Sequence, residues 1–150
     1  AADGRIALEM LRAGSFDLWV MDADGTNQKA LTTDLAIDNA PTWSPDGKQL
    51  AFTSARAGNL DIWVMNADGS GQKRLTTAPK MDYWPAWSPD GKQIAFTSNR
   101  DGNYEIYVMN PDGAGQRNSQ HEDNLNHPEL AGHGAPVVVT QPPDDLVWYH

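Results

Sequence analysis

Cysteine is absent from all 150 residues. That excludes disulfides, thiol nucleophiles and thiolate metal sites. Histidine is scarce and stands only at 121, 127, 133 and 150, so everything before residue 121 lacks an imidazole general base. Positive charge is also short, with 11 Lys and Arg against 20 Asp and Glu and a net charge of −9, of which −4 falls in residues 117–150. A chain of that sign is repelled by phosphate backbones, and nucleic acid is not an expected partner. No apolar run approaches the ~20 residues of a spanning helix, so no membrane insertion is expected. There is no Gly-x-Ser-x-Gly elbow, and the glycines sit in hairpin-like turns rather than before helices, which removes the usual phosphate cradle. The expectation is a protein that is not an enzyme.

What the sequence does have is punctuation: 13 Gly, 10 Pro and six Trp, the mark of short strands joined by tight turns. Shifted by 44 residues, the chain matches itself. Residues 41–73 and 85–117 are identical at 23 of 33 positions, and residues 12–33 and 56–77 at 15 of 22. A period of 40–45 residues suits four-stranded propeller blades, and no 3.6-residue apolar pattern points to helical repeats instead.

One repeat reads as four strands. Ala40 to Ser44 forms a short first strand, and Ser44-Pro45-Asp46-Gly47 a turn in which Pro presets φ and Gly accepts a positive one. Lys48 to Ser54 is the second strand, with Leu50, Phe52 and Ser54 on one face and Ala51 and Thr53 on the other. After the Arg56-Ala57-Gly58-Asn59 turn, Leu60 to Asn66 is the third; its unbroken Ile62-Trp63-Val64-Met65 run predicts burial on both faces. Gln72 to Thr77 is the fourth. The unit is an antiparallel meander, and the fold class is an all-β propeller.

The pattern P-x-W-S-P-D-G-K-x-[LI]-A-F-x-S, then R-x-G-N-x-x-I-[WY]-V-M-N and D-G-x-G-Q, resembles the TolB-like β-propeller repeat, also called WD40-like or PD40, over residues 3–117. It gives a partial blade at 3–33 and blades at 34–77 and 78–117. The resemblance implies a periplasmic setting, in which TolB belongs to the Tol–Pal envelope system and binds a peptidoglycan-associated lipoprotein. Similar propellers are attached to prolyl-oligopeptidase-type serine peptidases, and related ones occur in polysaccharide lyases with histidine-bound metal. Either implies an alternative role as a module of a larger enzyme. The Ala1-Ala2-Asp3 start is compatible with removal of a signal peptide, hence with a periplasmic or extracellular location.

About three blades fall short of the four or more that close a ring. Residues 3–8 read as the turn and second strand of a blade, so the pattern is entered after a first strand. The divergent acidic segment 118–150 contains a possible strand, turn and strand at 135–149. The expectation is a homo-oligomer, a dimer first, in which one copy's tail completes the other's first blade. An open extracellular filament is the alternative that a non-closing contact would give.

Candidate site residues follow from repetition and from its failure. Arg56 and Arg100, with Asn59 and Asn103, recur in the turn after the second strand; Asp38 and Asp82 recur before the first, and propeller topology puts both loop types on one face. An Arg–Asp contact fixing the loops is one reading, a ring of Arg for an anionic ligand the other. Tyr83 and Trp84 break the repeat, standing where Asn39 and Ala40 stand 44 residues earlier, and are the best anchors for a protein or glycan ligand. No cofactor is expected. The Asp-Gly turns superficially resemble calcium loops but lack the distal Glu. His121, His127 and His133 are the residues with zinc-ligand chemistry, although their six-residue spacing matches no standard zinc motif.

Overall fold

The computed structural model describes residues 3–119, and every element in it is a strand or a turn. Three antiparallel sheets follow one another along the chain. The first contains β1 (Ile6–Arg12), β2 (Ser15–Met21) and β3 (Lys29–Ala30). The second runs β4 (Asp38–Trp43), β5 (Gln49–Ser54), β6 (Asp61–Asn66) and β7 (Lys73–Arg74), each paired with the next. The third repeats that order with β8 (Asp82–Trp87), β9 (Ile94–Ser98), β10 (Glu105–Met109) and β11 (Arg117–Asn118). This is the all-β propeller architecture of four-stranded blades. The expected strand–turn–strand at 135–149 and His121, His127 and His133 lie outside the described residues.

The middle blade shows why its strands are apolar throughout. Leu50 and Phe52 of β5 and Met65 of β6 pack with Leu18, Val20 and Leu31 of the first blade. Ala51, Ile62 and Val64, pointing the other way, pack with Ile94, Phe96, Tyr107 and Met109 of the third. Alternate side chains of one strand thus enter two cores, and a strand buried on both faces reads as a continuous apolar run. Phe52 is fully buried, which by area alone is worth about 3 kcal/mol.

All four strands of the middle blade differ from the sequence expectation at one end or both, the second and third only by starting one residue later, at Gln49 and Asp61. The first strand starts at Asp38 rather than Ala40, because Asp38 and Asn39 pair with Ser54 and Thr53 ahead of a bulge that shifts the register before Thr42. The fourth strand is only Lys73–Arg74, since the two amides that follow, Leu75 and Thr76, both converge on the Ile62 carbonyl and the ladder ends there.

Candidate recognition face at one end of the strands

The turns after the second strands and the loops leading into the first strands share one end of the blades. Arg56 shows how this end is held. Its Nη2 meets Asp38 Oδ2 at 2.7 Å and Asp34 Oδ2 at 3.0 Å, Nε donates to Ser54 Oγ at 2.9 Å, and Nη1 donates to Gln72 Oε1. The guanidinium also lies 4.8 Å from the Trp63 ring centroid. Arg100 repeats the pattern with Asp82 at 2.9 Å, Ser98 at 2.9 Å, Gln116 at 2.9 Å and the Tyr107 ring at 4.5 Å. Asp38 and Asp82 are fully buried. Burial pushes the Asp38 carboxyl above its ordinary pKa, against the opposing pull of Ser54 and Arg56.

These groups are consumed within their own blade. A planar guanidinium that stacks on an aromatic ring while binding a carboxylate is a staple between strands, and little of it remains for a ligand. Asn59 is used up too, but between blades, its Nδ2 donating to the carbonyls of Ala78 at 2.9 Å and Lys80 at 2.8 Å in the segment that leads into the third blade. Asn103, by contrast, is exposed. Arg12, in the corresponding turn of the first blade, lies exposed over Trp19 at 4.8 Å.

Tyr83 and Trp84 behave differently. The bulge in β8 falls between Tyr83 and Ala86 and holds Trp84 at φ +55°, the left-handed region that bulky residues rarely enter. Ala40 occupies the matching bulge at φ +51°. The Trp84 amide donates to Thr53 Oγ1 of the neighbouring blade at 3.1 Å, which fixes the backbone while the indole stays 65% exposed. Tyr83 meets it edge-on at 4.7 Å and meets Tyr104 edge-on at 6.0 Å. Burial beside Tyr104 raises the Tyr83 pKa. With Asn39, Leu60 and Met81, these rings line a cavity of about 290 Å³.

Tyr104 was not evident from the sequence, where it stands 44 residues after Leu60 at the head of an expected third strand, one apolar position among many. Neither were Leu11, Phe16, Leu35 and Ile37. Of the seven large apolar residues exposed among the described residues, these four, Trp84 and Tyr104 all lie at this end of the strands; only Ile6 lies at the other. Scattered exposed apolar groups need no explanation, but their concentration at one end does.

Among the described residues, no group of three or more His, Asp or Glu is placed to hold a metal ion. The turn aspartates instead close their own turns: Asp24 Oδ1, for example, accepts from the Thr26 hydroxyl at 2.6 Å and amide at 2.9 Å.

Comparison with known proteins agrees with this architecture. A family model described as the TolB beta propeller domain matches residues 39–146. The Tol-Pal system protein TolB of Anaeromyxobacter dehalogenans is 51% identical over 39 residues, 26% of this chain and 9% of that protein. The crystal structure of TolB from Acinetobacter baumannii superposes with a TM-score of 0.70 at 28% identity, covering 77% of this chain and 29% of that one. A puromycin-hydrolyzing peptidase of Mycobacterium tuberculosis shares the fold alone, with a TM-score of 0.65 at 17% identity over 80% of this chain and 20% of its own. The chain thus matches well under two thirds of the length of each. With most of its residues matched by the family model and its blades superposing on a TolB structure, the chain belongs to the TolB β-propeller family.

Proposed function

We propose that the chain is a non-catalytic recognition module that binds a protein partner in the periplasm through the end of the blades carrying Trp84. The observation that carries this reading is the concentration of exposed apolar side chains at that end of the strands, with an indole held out at positive φ among them. A strained and exposed aromatic is what a contact anchor costs, and Trp and Tyr dominate such anchors. The relatives named as Tol-Pal system proteins support an envelope protein as the partner, and the resemblance of the repeat to the TolB-like propeller makes a peptidoglycan-associated lipoprotein the first to test. The blades supply neither histidine nor cysteine up to residue 119, which supports a binding role over catalysis.

The test is a calorimetric titration of the soluble domain of a peptidoglycan-associated lipoprotein into the native chain and into Trp84→Ala and Tyr104→Ala. Loss of a central anchor weakens binding by about tenfold or more, the 1.4 kcal/mol and upward expected of a hot spot. Native affinity in both variants overturns the reading.

A second copy of the chain is the other partner we propose. In the first sheet the order is β1-β2-β3, so β1 has one edge paired with β2 and no strand on the other among the described residues. Residues 135–140 of a second copy, Ala-Pro-Val-Val-Val-Thr, have the composition to add there as a strand.

A further inference from the structure

A second site lies at the opposite end of the strands. There the turns Ser44–Gly47, Ser88–Gly91 and Asn110–Gly113 leave a cavity of about 220 Å³ between the second and third blades, with Pro45, Asp46, Gln49, Trp87, Asp90 and Gly91 in its walls. The molecule contains its own template for what such a space holds. Ile6 pairs with Met21 as Leu50 pairs with Met65, so Arg5, one residue before Ile6, occupies the position that Gln49 occupies one blade later. Between the first and second blades, the Arg5 guanidinium lies 4.9 Å from the Trp43 ring centroid, and its Nη2 donates to the Gly47 carbonyl at 3.3 Å. Forty-four residues on, Trp87 and Gly91 repeat Trp43 and Gly47, but the filling side chain is Gln49, shorter and uncharged.

We infer that this cavity binds a guanidinium, that of an arginine in an extended segment of a partner protein. The plane of the group stacks on Trp87 and its N–H groups reach the Gly91 carbonyl, as Arg5 does on Trp43 and Gly47. Charge complementarity is supplied by Asp46 and Asp90. Each uses Oδ1 to close its own turn, accepting from Ser44 Oγ and the Lys48 amide at 2.6 and 3.1 Å, and from Ser88 Oγ and the Lys92 amide at 2.6 and 3.0 Å. Their anionic charge remains at the cavity wall. Those same bonds, the serine hydroxyl foremost, hold both carboxyls below their ordinary pKa and hence ionised at neutral pH. An ammonium, more strongly hydrated and not planar, fits the space less well.

The site is independent of the recognition face and is tested separately. With the full chain labelled with nitrogen-15, the Trp87 indole N–H resonance, assigned by its loss in Trp87→Phe, is followed while N-acetylarginine amide is added. The arginine probe shifts that resonance saturably, and the neutral isostere N-acetylcitrulline amide binds about tenfold more weakly, since it loses the charge that stacks on the ring and meets the carboxylates. Gln49→Arg supplies an internal guanidinium and weakens the probe by a similar factor, about tenfold. Asp90→Asn, on an exposed turn, weakens it by roughly threefold, as expected for one carboxylate at a solvated wall. Trp84→Ala, at the other end of the strands, leaves the affinity unchanged. Citrulline matching arginine, no saturable shift of Trp87, or native affinity in Asp90→Asn overturns the proposal, as does native affinity in a folded Gln49→Arg.

Discussion

Trp84 combines two properties that selection for stability alone would separate: a bulky side chain at φ +55° and 65% exposure. Glycine enters that region without the Cβ penalty, which for other residues is about 1 kcal/mol. Trp84→Gly is therefore expected to be about 1 kcal/mol more stable than Trp84→Ala in urea denaturation, with both variants losing binding to the proposed partner. Arg56 is the opposite case. Asp38 is fully buried and paired with Arg56 at 2.7 Å, so Arg56→Ala leaves a buried carboxylate without its cation and is expected to cost about 3 kcal/mol. Adding Asp38→Ala recovers part of that loss, because the orphaned charge is gone; strict additivity in the double-mutant cycle would show that the pair is not coupled. Tyr83 and Trp84 were legible because they depart from a repeat that otherwise matches closely. Leu11, Phe16, Leu35, Ile37 and Tyr104 were not, since each is an ordinary apolar residue in sequence and only the shared end of the strands groups them.

At the scale of the element, the blade was legible and its edges were not. The apolar run in β6 and the Pro-Asp-Gly turns announce strands and hairpins, whereas the shortness of β7 depends on two amides sharing the Ile62 carbonyl, a geometry without a residue signature. The turns also carry the contact between blades. Gly113 has φ +90°, and a Cβ there would stand 2.8 Å from the Leu75 carbonyl oxygen of the preceding blade. Gly102 has φ +100° with open space around it. Both alanine variants meet backbone strain of about 1 kcal/mol, but Gly113→Ala must also push two blades apart, so it is expected to lower the urea midpoint clearly more than Gly102→Ala. Equal effects would mean that the blades yield freely at this contact.

The same turns set the response to acid. Asp24, Asp46, Asp68 and Asp90 all lie below the ordinary value of 3.8, each chiefly through the hydroxyl two residues away. A carboxyl whose pKa is depressed on folding adds stability above its unfolded pKa, and that stability is lost as pH falls through the folded value. Buried Asp38 and Asp61 are shifted upward by desolvation, so their contribution runs the other way and grows as pH falls. The Asp46→Asn, Asp90→Asn double variant is expected to lose less of its urea midpoint than the native chain between about pH 4 and pH 2. An unchanged slope would show that these turns are equally protonated in the unfolded chain.

For the molecule as a whole, the edge of β1 that carries no strand among the described residues and the charge of −9 pull against each other. An unpaired strand edge favours addition of another strand, while two copies of one sign repel. If backbone pairing with residues 135–140 drives association, screening the repulsion strengthens it. Sedimentation of the full chain at micromolar concentration is then expected to give a dimer whose dissociation constant falls as salt rises from about 0.01 to 0.15 M, where the screening length drops from about 30 to 8 Å. An interface built on opposite charges would weaken over that range. Val138→Pro removes one backbone donor from the middle of the proposed added strand and is expected to return the chain to monomer at every salt concentration. A native chain that sediments as a monomer throughout, or a Val138→Pro dimer as tight as the native one, leaves the β1 edge for some other strand.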